Sequence, residues 1–237
     1  MGGKLTEDGE IQQHSGWLIP FAVAVAIALL CAALLLYYLR PFALGRNGTA
    51  PFRDSRDSAA AIPVTVGRQT FIIPRRYLEP GTRGGGDRVD LVAALPDMRG
   101  FTENDAELFA ANAPDSPVVH LLIRGNRNAP DTNDRFQRIY LPYVTNPQGE
   151  KSAYGLTYYS FKPGSGYGGD DLYAGPTKDL LFLCERPAQD VPSPNCLTID
   201  RSLAPGVNLS YRFKRSQLPN WRAIEDGVRR LIAKFRR

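Results

Sequence analysis

A mainly β domain of the α+β type, carried behind one membrane helix, is the fold class predicted by three features of this 237-residue chain. Residues 17–39 run from Trp17 to Leu39 without a charge, long enough at about 1.5 Å per residue to cross the roughly 30 Å hydrocarbon core of a bilayer as a helix. Beyond residue 62, short β-branched and aromatic runs alternate with Gly, Pro and Asp, the pattern of an antiparallel, sandwich-like β domain. At the C-terminus, Trp221, Ile224, Val228, Leu231, Ile232 and Phe235 recur at helical spacing, which predicts an amphipathic helix.

Four segments follow: a tail (1–16), the transmembrane helix (17–39), a linker (40–62) and a β-rich domain (63–237). Trp17 at one end of the apolar run and Tyr37 and Tyr38 at the other stand where amphipathic rings prefer the headgroups, and Pro20 falls in the first turn, where its missing N–H costs least. The tail is acidic and the apolar run exceeds the 7–15 residues of a signal-peptide core, so the segment is an uncleaved anchor in this reading. Cys31 within it is a small apolar filler. The linker mixes charge, Ala, Pro and Gly without an apolar period.

In the domain, strands are expected at 64–66, 70–73, 89–94, 118–123, 139–144, 154–161, 180–184, 197–199 and 207–213. The last alternates apolar and polar strictly, so one face should be buried and the other wet. A short internal helix is expected over 103–112, with Thr102 as N-cap, Asp105 at the box position and Pro114 beyond its end. Asn220 is the expected N-cap of the C-terminal helix.

The net charge of +5 is unevenly spread: residues 1–16 carry −2, residues 212–237 carry +7, and the stretch between them balances. Arg222, Arg229, Arg230, Lys234, Arg236 and Arg237 are therefore candidate contacts for a protein partner or for lipid headgroups, against the alternative that they face water while the apolar stripe packs on the sheet.

Three cysteines and two histidines leave little material for a metal site or a His-based catalytic system, and no cofactor is expected. His120 lies in the apolar run Val-Val-His-Leu-Leu-Ile, where a structural role is expected. The glycine-rich stretches 81–87 and 164–171 lack the Lys-Ser/Thr ending of a phosphate loop and are expected to be hairpin loops. Without interleaved basic and aromatic residues, nucleic acid is not an expected partner. Cys184 and Cys196 flank eleven residues rich in Pro, Asp and Ser; a disulfide between them would demand an oxidising compartment, and two unpaired thiols are the alternative.

Val-Gly-Arg-Gln-Thr-Phe-Ile-Ile-Pro (66–74), Asp-Arg-Val-Asp-Leu (87–91), Leu-Pro-Asp-Met-Arg-Gly (95–100), the two-cysteine loop and Leu-x-x-Trp-x-x-Ile (218–224) together resemble a group of uncharacterised single-pass inner-membrane proteins of proteobacteria. The resemblance implies an envelope location and a β-rich exported domain. Lys4 before the helix and Arg40, Arg46, Arg53 and Arg56 after it oppose that orientation by the positive-inside rule, although long domains translocate against such charge. The expectation is a cytoplasmic N-terminus, a periplasmic domain and a non-catalytic role as a binding or accessory component recognising a protein partner. The alternatives are a membrane-tethered envelope hydrolase using carboxylates such as Asp170 and Asp171, and an immunity-type protein guarding the periplasm against a toxin.

Overall fold

Residues 20–31, 33–34, 59–82, 86–126 and 130–236 are described in the computed structural model, in which the chain divides into two units, Met1–Arg53 and Asp54–Arg237. In the first unit, residues 20–31 and 33–34 are helical, with Phe21, Ile27, Leu29 and Leu30 exposed. Among the described residues no helix is long and apolar enough to cross a membrane. The remainder of the expected span, including Trp17, Tyr37 and Tyr38, lies outside the described residues, as does the tail.

The described residues of the second unit open with a hairpin of β1 (Ala61–Val66) and β2 (Gln69–Pro74), whose first two residues fall within the expected linker. Gly67 turns it with a φ of 60°, a conformation that glycine adopts without a Cβ penalty. The other strands form one antiparallel sheet: β3 (Arg88–Ala94), β4 (Val118–Gly125), β5 (Glu150–Lys151), β6 (Thr157–Ser160), β7 (Asp170–Ala174), β8 (Leu181–Glu185), β9 (Asn195–Thr198), β10 (Arg201–Ala204) and β11 (Val207–Lys214). Their order is β3-β4-β11-β9-β8-β7-β6-β5, with β10 pairing the same side of β11 as β9 does.

Side chains alternate across a strand, and β8 shows what lies on each face of the sheet. Phe182 and Cys184 join a core with the β1–β2 hairpin and the C-terminal helix α3 (Trp221–Phe235), while Leu181 and Leu183 join a second cluster with Phe136, Tyr140 and Val144. The expected sandwich therefore takes another form: the layer over this sheet is a helix with a two-stranded hairpin, because the apolar stripe of α3 covers the face a second sheet would occupy. All six stripe residues are buried.

Several elements differ from expectation. Residues 139–143 are helical and only Val144 is extended, bridging Phe161: the short α2 (Thr132–Arg135), capped by the Asp131 carboxylate accepting from the Asp134 N–H at 2.7 Å, runs on through a π turn and a 3-10 turn to Tyr143. Phe136 and Tyr140, four apart, are buried by that winding. β11 is buried on both faces save Arg212: on the face expected to be wet, Asn208 donates to the Asn126 carbonyl and Lys214 to Asn112 and the Ser193 carbonyl. The internal helix shortens to a 3-10 turn (Glu103–Asp105) and α1 (Ala106–Ala110). Thr102 caps no backbone group there; its hydroxyl donates to the Asp105 carboxylate at 2.7 Å. Nor does Asn220 cap α3, which is led in by the 3-10 turn Arg215–Asn220.

Cys184 and Cys196 are directly opposed on β8 and β9 and joined by a buried disulfide. Beside them the buried Asp171 carboxylate accepts from Arg215 Nη2 at 2.6 Å, Arg186 Nε at 2.7 Å and the Tyr158 hydroxyl at 3.0 Å. Arg215 also donates to the carbonyls of Cys184 and Glu185. Burial opposes the Asp171 charge, but the hydrogen bonds from Arg215 and Arg186 outweigh it and hold the carboxyl below the usual range.

Replacing both cysteines by serine is expected to lower the unfolding free energy by about 3 kcal/mol, the entropy of closing a loop of this size, read from the urea midpoint. Arg215→Leu leaves Asp171 buried with one cation fewer and is expected to cost about 3–5 kcal/mol by the same measurement. The stability from the depressed Asp171 carboxyl is complete above its unfolded value of about 3.9 and is lost as pH falls through the folded value. The acid-induced drop in stability below about pH 4 should therefore be shallower in Arg215→Leu than in the wild type.

Candidate binding surface

α3 places one carboxylate on its buried side. Glu225 follows Trp221 by four residues and precedes Val228 by three, so it falls within the apolar stripe and is 5% exposed. There it accepts from the Tyr211 hydroxyl on β11 at 2.6 Å, from Arg201 on β10, and from Arg229 one turn along its own helix. Burial disfavours its charge, yet the hydrogen bonds from Tyr211, Arg229 and Arg201 hold the Glu225 carboxyl below its ordinary value. Burial, with the neighbouring Glu225 charge, pushes the Tyr211 hydroxyl well up, so it remains a donor.

The local backbone aims a second carboxylate nearby. Between the pairs Leu197↔Arg212 and Arg201↔Leu209, three residues (198–200) face two (210–211), a bulge joining β9 to β10. Thr198 Oγ1 accepts from the Tyr211 N–H at 2.7 Å and donates to the Tyr211 carbonyl at 3.1 Å, substituting for the interrupted ladder. The extra residue is Asp200, whose buried carboxylate pairs with Arg124 and, at 3.4 Å, with Arg135.

Three open grooves meet around these groups, with volumes of about 550, 350 and 290 Å³. The first and second share Arg201 and Ser202, the first and third share Thr177 and Asp179, and the second and third share Glu225 and Arg229. They form one continuous concave surface with a locked ionic network at its centre and the exposed carboxylates Asp131 and Asp179 on its rim.

The expected basic contacts divide into three kinds. Arg229 is held by Glu225, and Arg222 lies over the Trp221 ring at 4.5 Å while donating to the Tyr154 carbonyl at 3.2 Å. Arg230, Lys234 and Arg236 are exposed and have no ion pair among the described residues, and Arg237 lies outside the described residues. His120 pairs with Glu79 at 2.5 Å, a structural contact.

Asp170 and Asp171 do not form a catalytic pair. As neighbours on β7 they point to opposite faces, and Asp171 is engaged by two arginines. Burial and the nearby Glu185 and Asp171 charges raise the Asp170 carboxyl, so the environments of the two differ without bringing them together. Among the described residues no His, Cys, Asp and Glu grouping could hold a metal ion.

Sequence reasoning passed over Arg201, Tyr211 and Glu225. The placement of Glu225 within the stripe was readable from spacing, whereas its partners on β10 and β11 depend on the sheet register.

No family model matches the chain, and no curated protein matches it. Among solved structures, the fold is similar to that of Smlt3025, an immunity protein of the Stenotrophomonas maltophilia type IV secretion system, with a TM-score of 0.56 and 18% sequence identity. The match covers 76% of this chain and 94% of that one. At this identity the likeness is one of fold.

Proposed function

We propose that the Asp54–Arg237 unit is a non-catalytic, immunity-type binding domain, held at the periplasmic face of the inner membrane by the N-terminal apolar segment, and that it neutralises a toxin by seating on it. The observation that carries this reading is the fold shared with nearly the whole of a secretion-system immunity protein. The buried Cys184–Cys196 disulfide supports an oxidising compartment. The joined grooves support a macromolecular partner: they are open and shallow, and their central charges are already paired. The rim carboxylates Asp131 and Asp179 suit a basic segment of that partner.

A toxin is expected to be encoded beside this gene. Exported to the periplasm of a bacterial host, the neighbouring product should stop growth, and co-expression of the full chain should restore it. Asp179→Lys with Ser202→Arg, two exposed rim positions, is expected to weaken the purified complex by about tenfold or more, about 1.4 kcal/mol, with an unchanged Tm. Absence of toxicity from the neighbouring products, or undiminished binding by the double variant, would count against the function or the surface respectively.

A further inference from the structure

The apolar side of α3 is wholly occupied by the core, and the apolar residues on its exposed side are the small Ala223 and Ala233. The helix therefore has nothing to insert into hydrocarbon, as an interfacial amphipathic helix does, and any attraction its outer face exerts is electrostatic. That attraction is concentrated at one end. The acidic Glu225 and Asp226 belong to its first half; the second half carries Arg229, Arg230 and Lys234, with Arg236 just past its end, and Arg229 is neutralised by Glu225.

This cationic end adjoins the place where the chain runs into the unit. Ala61, at the start of β1, pairs with Pro74, and the Arg75 N–H donates to the Ala60 carbonyl at 3.0 Å. Three residues back along β2, Phe71 forms a bridge with Arg236, and the Tyr77 ring lies 5.1 Å from that of Phe235. At about 3.3 Å per strand residue, the end of α3 lies roughly 10 Å along β2 from that point. Arg76 stands on the same side, its guanidinium 5.9 Å from the Tyr77 ring. Upstream, residues 40–60 hold four arginines against two aspartates, and the apolar run precedes them. On the anchored reading, the 21 residues between the apolar run and Ala61 bound how far this end can stand from the bilayer.

We infer that the C-terminal end of α3 is a headgroup-binding face, on which Arg230, Lys234 and Arg236 rest the unit against anionic phospholipid. This rests on the anchored reading given under Proposed function and adds the surface that faces the lipid. An acidic protein would meet the same charges, but the position beside the tether favours the bilayer.

The full chain, reconstituted into nanodiscs of phosphatidylcholine with or without phosphatidylglycerol, provides the test, with acetylation of Lys234 by a water-soluble amine reagent as the readout. Retention in the discs through a high-salt wash reports anchoring by itself; a chain that washes out overturns the anchored reading and this inference with it. For the retained chain, Lys234 labelling is expected to fall severalfold in the anionic discs and to recover at high salt, while Lys151 and Lys178 label equally in both lipids. Arg230→Glu with Arg236→Glu, which keeps Lys234 as the probe, should abolish the protection with an unchanged Tm. Equal Lys234 labelling in the two lipids overturns the inference and leaves the anchor intact. Protection by an added poly-glutamate peptide without protection by anionic lipid assigns the face to an acidic protein and likewise overturns it.

Discussion

The seating of α3 on the sheet is the constraint on which the rest of this unit depends. Its stripe residues join one cluster with β3, β4, β8, β9 and β11, and the same cluster takes in Val64, Val66, Phe71 and Ile73 of the hairpin. At about 1.5–3 kcal/mol for each large apolar side chain buried, six such residues contribute on the scale of a small domain's whole net stability. The approach is close: a Cβ at Gly227 would come within 2.9 Å of Met98 Cγ, so any larger residue there would force the Met98 side chain in the turn after β3 to shift. The hairpin shares this core with both the sheet and α3, so removing the helix would uncover part of its buried face.

The polar groups inside this core follow one arrangement. Asp171, Asp200 and Glu225 are each buried and each meet two arginines, at least one of which comes from a distant part of the chain. Buried pairs of this kind add little net stability over apolar packing but are costly to mismatch, since a strand slipped by one residue would strand a carboxylate among apolar side chains. Their role here is geometric. Glu225 links α3 to β10 and β11, Asp200 links the bulge to β4 and α2, and Asp171 links β7 to the segment that leads into α3.

Much of the architecture was legible from local pattern, and the failures have identifiable causes. The hairpin, β3, β4, β8, β11 and α3 stand close to where apolar runs and periodicity put them. The segment 139–144 misled because its β-branched and aromatic residues favour a strand one at a time, whereas the helical spacing of Phe136 and Tyr140 and the capping Asp131 decide the matter together. β7 was missed because Asp170-Asp171 after a glycine-rich stretch has the composition of a loop; Asp171 becomes a core residue through Arg186 and Arg215, 15 and 44 positions later. The wet face expected for β11 closed through partners remote in sequence, since Asn208 donates to the Asn126 carbonyl and Lys214 to Asn112 and the Ser193 carbonyl. Of the candidate site, the disulfide and the basic helix were readable from spacing and charge, while the grooves exist only after β10, β11 and α3 have been brought together.

The central position of β11 bears on when the fold can close. β4 and β9 lie on either side of it and have no hydrogen bonds to each other, so the middle of the sheet does not exist until residues 207–214 arrive. The helix that covers the sheet comes later still. A chain emerging N-terminus first thus leaves the strand edges of β4 and β9 open until residues 207–235 are free, and the elements made earlier wait on them. The unit is completed by residues 207–235, whose loss removes the centre of the sheet and its cover at once.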